Sequence, residues 1–160
     1  MADSTYCIDT NVIVILQRYM PSDVHVGVWE QFEELISQGR AFLPREAFNE
    51  LTHVDDGCAE WALSQRGFVE ETVDPAIITV VTKITHAHPG WVQDRTNGAD
   101  PWVIAHAAAG GHVIVTDERR KGAGVVPDKN LKIPNVADEH RVTCMDFNTL
   151  ARTEGWRFTR

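Results

Sequence analysis

Asp9, Glu50, Asp100 and the adjacent pair Asp117 and Glu118 are the residues of this 160-residue chain whose types and positions bear most directly on chemistry. Asp9 and Asp117 directly follow runs of β-forming residues, Tyr6-Cys7-Ile8 and Val113-Ile114-Val115-Thr116. Both acids therefore belong at the carboxyl edge of one parallel sheet if those strands are neighbours. Asp100 opens a helix entering from the same edge, and Glu50 lies on a helix that can reach over the same crevice. Carboxylates gathered in this way repel, by about 4 kcal/mol for two unit charges about 4 Å apart at an effective dielectric of about 20. A hard divalent cation, Mg²⁺ or Mn²⁺, removes that repulsion because it takes oxygen ligands. The chemistry such a centre supports is phosphodiester hydrolysis, in which the metal polarises a phosphoryl oxygen, helps form hydroxide from water and steadies the leaving oxygen. No cysteine, serine or histidine nucleophile is required.

Each acid taken alone has a plainer use. Asp9 and Asp100 also suit helix N-caps, the latter followed by Pro101, and capping by itself stabilises by about 1 kcal/mol. Glu50 alone reads as a solvated helix residue and Asp117 as a turn residue. Their joint order, spacing and strand-end positions carry the signal.

The elements that must position these acids alternate along the chain. Thr5 to Ile8 reads as a strand that stops at Asp9-Thr10-Asn11, after which Val12, Ile13, Leu16 and Tyr19 recur at helical spacing up to Met20-Pro21. Ser22 is expected to cap a second helix with Val24, Val28, Trp29, Phe32, Leu35 and Ile36 on its apolar face, closed by Gly39. Ala41 to Leu43 is a brief strand, and Pro44 opens a helix that turns Ala47, Phe48 and Leu51 inward and carries Glu50. After a break at Asp55-Asp56-Gly57 come a helix with Cys58, Trp61, Ala62 and Leu63, ended by Gly67, and a longer one opened by Asp74-Pro75 with Ile77, Ile78, Val81 and Ile84. These middle helices are expected to form a cap or partner surface. His88 to Gly98 reads as a loop delivering Asp100, whose helix of small residues ends at Gly110-Gly111. His112 to Val115 is a buried strand delivering Thr116-Asp117-Glu118, Arg119 to Lys129 a basic loop, and Arg141 to Met145 with Asp146 to Arg152 a last strand and helix. This order implies an α/β fold of three layers, α/β/α, around a central mostly parallel sheet joined by right-handed crossovers, as one domain over residues 1–160.

Four segments together resemble the signature blocks of PIN-domain ribonucleases: Tyr6-Cys7-Ile8-Asp9-Thr10-Asn11, Glu50-Leu51, Ala99-Asp100-Pro101-Trp102-Val103-Ile104-Ala105 and Val113-Ile114-Val115-Thr116-Asp117-Glu118. The first and third are fairly specific as a pair, and the blocks span nearly the whole chain. The resemblance implies an Mg²⁺- or Mn²⁺-dependent endoribonuclease with Asp9, Glu50, Asp100 and Asp117 as metal-site acids and Thr10, Asn11 and Thr116 hydrogen-bonding around them. The family pattern leaves one residue between the threonine and the fourth acid, which favours Glu118, whereas here Asp117 follows the threonine immediately. Glu46, one turn before Glu50, would contribute at the periphery. Compact members of the family often act as the toxin of a toxin–antitoxin pair, so RNA is the implied substrate, and a cognate antitoxin and a second copy of the chain are partners it admits. The long middle, Glu60 to Asn97, exceeds what the smallest members need and resembles a less-studied subgroup.

A net charge of -8 argues against a surface that simply condenses onto a polyphosphate, so any nucleic-acid contact must be local. Arg119, Arg120 and Lys121, just after the proposed acids, are the expected RNA-binding cations, or else a solvated charge run. Arg95, Trp91 and Trp102 could add a cation and stacking faces, although tryptophan more often belongs to a core. His86 and His88 fit a cationic helix terminus better than a metal pair. Cys7, Cys58 and Cys144 have no metal-ligand spacing and read as reduced thiols. No apolar run approaches the roughly 20 residues of a membrane span, and the N-terminus lacks a secretory pattern, so a cytoplasmic location is expected. Two competing functions are a non-cleaving PIN-fold module that grips RNA or protein, and a haloacid-dehalogenase-like phosphatase. The phosphatase would need an aspartate where Asn11 stands and a lysine preceding an acidic pair.

Overall fold

Three consecutive residues, Tyr6, Cys7 and Ile8, are completely inaccessible to solvent, as a strand covered on both faces must be. They form β1 (Tyr6–Ile8), the centre of a five-stranded, wholly parallel sheet in the computed structural model, which describes residues 3–54, 57–92, 97–122 and 124–159. The other strands are β2 (Ala41–Pro44), β3 (Val69–Glu70), β4 (Val113–Val115) and β5 (Cys144–Met145), in the spatial order β3-β2-β1-β4-β5. The helices are α1 (Thr10–Tyr19), α2 (Val26–Ser37), α3 (Arg45–Leu51), α4 (Cys58–Ser64), α5 (Pro75–Ala87), α6 (Asp100–Gly110), α7 (Ile133–Glu139) and α8 (Phe147–Thr153). The chain steps from β1 outward to β3 and then returns past β1 to β4 and β5. Right-handed crossovers in opposite directions put helices on opposite faces, which gives the expected three layers.

Helix α6 packs on β1, β2 and β4, and α5 and α7 in turn pack on α6. Its Val103, Ile104, Ala105 and Ala107 are all buried, so small side chains let it approach the sheet closely. Phe32 of α2 is fully buried, with ring contacts to Trp61, Phe68 and Phe147 at centroid distances of 5.6, 6.1 and 5.7 Å. Among the described residues no helix is long and apolar enough to cross a membrane.

Several local expectations give way to tertiary structure. Helix α2 begins at Val26 rather than Ser22, because Val24 and His25 turn back to hydrogen-bond the Pro21 carbonyl, and Val24 is exposed. Strand β3 was not expected; its two half-buried residues carry no alternation, and it exists through parallel pairing with Leu43 and Pro44. Helix α7 lies in a stretch without an expected element, too short for a periodicity signal, yet Ile133, Pro134, Val136 and Ala137 are buried. The last strand shrinks to Cys144 and Met145, since Arg141 adopts a left-handed φ of 57° incompatible with a strand. The middle helices are not a separate cap: α4 packs on α1 and α3, and α5 packs along α6. Tyr19, Leu63 and Ile78, expected inward, are exposed.

Trp91 is core: it is buried and its indole N–H donates to the Leu131 carbonyl at 3.1 Å. Trp102 is half-buried, and Arg95, Asp55 and Asp56 lie outside the described residues. His88 closes α5 and bonds Asp128 at 3.1 Å and Glu139 at 2.7 Å. Burial works against its charged form, but these two carboxylates prevail and raise its pKa, as a cationic helix terminus requires. Cys7 and Cys58 are buried and Cys144 is half-buried, and the Cys58 thiol faces the Ile13 carbonyl at 3.9 Å. Truncating Phe32→Ala should cost about 3–5 kcal/mol in urea unfolding; a cost below about 1 kcal/mol would mean that the aromatic cluster does not organise the α2 layer.

Candidate metal centre

Strand order reverses direction at β1, whose Cys7 pairs with Phe42 of β2 on one side and Ile114 of β4 on the other. Loops leaving β1 and β4 diverge from such a switch point and leave a crevice beyond the carboxyl ends of the strands. Asp9 is the first residue past β1 and its N–H donates to the Val115 carbonyl at 2.9 Å. Thr116 is the first residue past β4, and its hydroxyl donates to Asp9 Oδ2 at 2.8 Å. The same hydroxyl oxygen accepts from the Glu118 N–H at 3.1 Å and from Asn11 Nδ2 at 3.5 Å, while Asn11 Oδ1 accepts from the Asp117 N–H at 3.1 Å. Thr116 and Asn11 thus brace both strand ends.

Glu50 reaches the crevice because α3 follows β2 without a loop and packs on α1 and α6. The Thr10 hydroxyl donates to the Ala47 carbonyl at 2.9 Å, tying α1 to α3, and Glu50 Oε1 accepts the Ala99 N–H at 3.2 Å. Asp100 stands at the first position of α6. Asp9 makes no side-chain capping bond and Asp100 stands inside α6, whose capping position is Ala99, whereas Asp74 and Asp146 do cap α5 and α8, at 3.1 and 2.7 Å. Helix capping therefore does not account for the burial of Asp9 and Asp100. Asp9, Glu50, Asp100 and Glu118 all line one cavity of about 830 Å³, together with Thr10 and Asn11.

Of the two candidates for the fourth acid, Asp117 and Glu118, the cavity takes Glu118. Asp117 is exposed and lines two smaller grooves beside Arg119 and Asp146, not the central cavity. Glu118 takes the inner position because its Oε2 accepts the Ile133 N–H, at the start of α7, at 2.8 Å. Of the expected RNA-binding cations Arg119, Arg120 and Lys121, none lines the central cavity, and Arg119 borders two neighbouring ones. Arg120 is held by both oxygens of Asp138 at 2.7 Å, and the Lys121 N–H bonds Asn135. Glu46 does not line the cavity; one of its oxygens is buried without a hydrogen-bond partner, as is His106 Nε2. Sequence reasoning missed Arg18 and His53, which do line it. For Arg18 a signal was present, since Asn11, Val14, Ile15 and Arg18 recur at the spacing of one helix face.

A family model described as a domain of unknown function, DUF4411, matches residues 6–158, from the first residue of β1 to beyond α8. The chain belongs to the DUF4411 family. No curated protein matches it. All four cavity acids of this DUF4411 chain fall inside the matched span.

The electrostatics of the DUF4411 cavity are those of crowded like charges. Burial, then Glu118, pushes the Asp9 carboxyl up to about 7 against the opposing hydrogen bond from Thr116. Burial, followed by Asp9, Glu118 and Glu50, pushes Asp100 up to about 9, with Lys132 opposing. Glu50 is raised by burial and held back by hydrogen bonds from the Ala99 N–H and the Thr10 hydroxyl. Among the described residues no three His, Cys, Asp or Glu side chains close on a single point as a metal cage; the acids line a shared, open cavity.

An acid with a raised folded pKa adds stability that is complete below its unfolded value of 3.8 and is lost as the pH rises through the folded value, near 7 for Asp9 and 9 for Asp100. In EDTA the protein should therefore lose stability between about pH 5 and pH 9. Asp100→Asn should be the more stable form at pH 9, by on the order of 2 kcal/mol, and should match the parent near pH 4. Urea unfolding at the two pH values decides this, and equal stability at pH 9 would show that the acids do not repel.

Proposed function

We propose that this chain is a PIN-type ribonuclease that hydrolyses RNA phosphodiester bonds at a centre dependent on Mg²⁺ or Mn²⁺. The observation that carries the reading is the convergence of Asp9, Glu50, Asp100 and Glu118, from four separate parts of the fold, on one cavity at the switch point of a parallel sheet. The four acids suit a hard cation: they offer only oxygens, and two of them are buried with carboxyl pKa values that remain raised despite the Thr116 hydroxyl, the Thr10 N–H and Lys132. An open cavity suits Mg²⁺, which keeps several of its waters and needs no closed protein cage. A cation bound there would supply Lewis acidity toward the phosphoryl oxygen and lower the pKa of its water.

The chain's own residues have separable parts in this reading. Asp9 is oriented by Thr116, Glu50 by the Ala99 N–H and Glu118 by the Ile133 N–H, so these three carboxylates would be the ones to hold a cation in the cavity, with water completing its coordination. Asp100, at the head of the apolar helix α6, provides the fourth. The toxin role implied by the resemblance is a further part of the proposal: unopposed expression should arrest growth, and Asp100→Asn should relieve the arrest.

Millimolar Mg²⁺ or Mn²⁺ should raise the melting temperature, because binding favours the folded state, and the rise should be larger at pH 8 than at pH 5, where protons compete for the acids. On an RNA panel, Thr116→Val should lower metal-dependent cleavage roughly 10- to 100-fold, the usual cost of losing a ligand's supporting partner. Asp9→Asn, Asp100→Asn and Glu118→Gln should lose at least as much, and Asp117→Asn should cut like the parent. Cleavage that is absent, indifferent to metal or insensitive to these acids would leave a binding module in place of the nuclease.

A further inference from the structure

Two arginines border the acids, one in the central cavity and one in cavities that share walls with it. Arg18 lines the central cavity from the last turn of α1, nine residues past Asp9, roughly 13 Å along the helix at about 1.5 Å per residue. Between them on the same helix face, Val14 and Ile15 are half-buried and form an aliphatic wall. Glu118 lines both the central cavity and a neighbouring one of about 300 Å³ that contains Arg119. Ile15 likewise lines both the central cavity and a groove of about 160 Å³ that also contains Arg119. The carboxyl edge of the sheet thus carries a continuous track that runs from one exposed guanidinium, past an aliphatic wall and the acids, to another.

We infer that an RNA strand crosses this edge with Arg18 and Arg119 as its two phosphate clamps, one on each side of the cut, an assignment that rests on the ribonuclease reading above. A guanidinium matches a phosphate with two parallel hydrogen bonds. Among the described residues neither arginine makes an ion pair within 4 Å, Arg119 acting on Asp146 only through space, whereas Arg120 is occupied by both oxygens of Asp138. The aliphatic wall offers a surface on which a ribose or a base face can lie without reading its identity. Two clamps also reconcile the net charge of -8 with a polyanionic substrate, because the strand is held only where the track needs it. The plainer role for Arg18 is a cation favouring the C-terminus of α1; that role predicts a loss of helix stability and no effect on RNA.

The test uses the full-length chain carrying Asp100→Asn, so that RNA is bound and not consumed, and reads the anisotropy of a labelled unstructured RNA in Mg²⁺ over a range of salt. Adding Arg18→Ala or Arg119→Ala should each weaken binding about five- to tenfold and lower the salt slope by about one. Arg120→Ala should stay within about twofold, and all three should melt with the parent. Arg18→Lys should recover part of the loss. Unchanged binding with Arg18→Ala, or a loss with Arg120→Ala equal to that with Arg119→Ala, overturns the clamp. The two readings fail separately. A chain with Asp100 intact that cuts RNA regardless of Arg18 keeps the nuclease and loses the clamp, while Arg18-dependent binding by a chain that cuts nothing keeps the clamp and loses the nuclease.

Discussion

Asp9 and Asp100 are almost inaccessible at the end of a parallel sheet, with Glu50 and Glu118 within electrostatic reach. Each buried carboxylate costs several kcal/mol to desolvate, and repulsion between neighbours adds to that cost. Among the described residues the Thr116 hydroxyl and the Thr10 backbone N–H bond Asp9, and Lys132 acts on Asp100 through space; these oppose the rise of both carboxyls without cancelling it. Stability that could have come from apolar side chains at these positions is given up, which is the usual signature of residues kept for what they bind.

The rest of the fold holds that unfavourable arrangement in register. Strand β1 is inaccessible along its whole length and pairs on both sides, so the point where Asp9 leaves the sheet cannot wander without breaking two ladders. Helix α6 is apolar nearly all round and seated on three strands, which fixes Asp100 at its head. The Thr116 and Asn11 bonds join the two strand ends, and the first turn of α7 pulls Glu118 inward. Local hydrogen bonds decide which way each acid faces, and the sheet decides that they meet.

Charge is distributed on the same logic. The molecule is acidic overall, and its cations differ sharply in availability. Arg40 is committed to Glu154 at 2.6 Å, which also accepts the Tyr6 hydroxyl, and Arg120 to Asp138. Those pairs tie strand ends and helices together and leave little charge free for a ligand. Arg18 and Arg119 differ from them by position, since they border the acid cavity and its neighbours.

Much of this could be read from residues alone. Apolar runs ending in Asp9 and Thr116, the Asp74-Pro75 and Asp100-Pro101 helix starts and the small-residue helix between Asp100 and Gly110 each declare themselves within a few positions. Their alternation implies a parallel sheet, because a chain that leaves a strand into a helix must return in the same direction. What no local pattern could decide was which of two adjacent acids faces inward. Asp117 and Glu118 are told apart along the chain only by their spacing from Thr116, and Glu118 is drawn inward by the Ile133 N–H, fifteen residues on, in a helix too short to be seen in its own periodicity. The same holds for Arg18 and Arg120: a cation's sequence neighbours do not reveal whether a carboxylate elsewhere already occupies it. Local order follows from backbone preferences and hydrophobic spacing, whereas the direction and pairing of a polar side chain depend on groups that only the tertiary fold brings near.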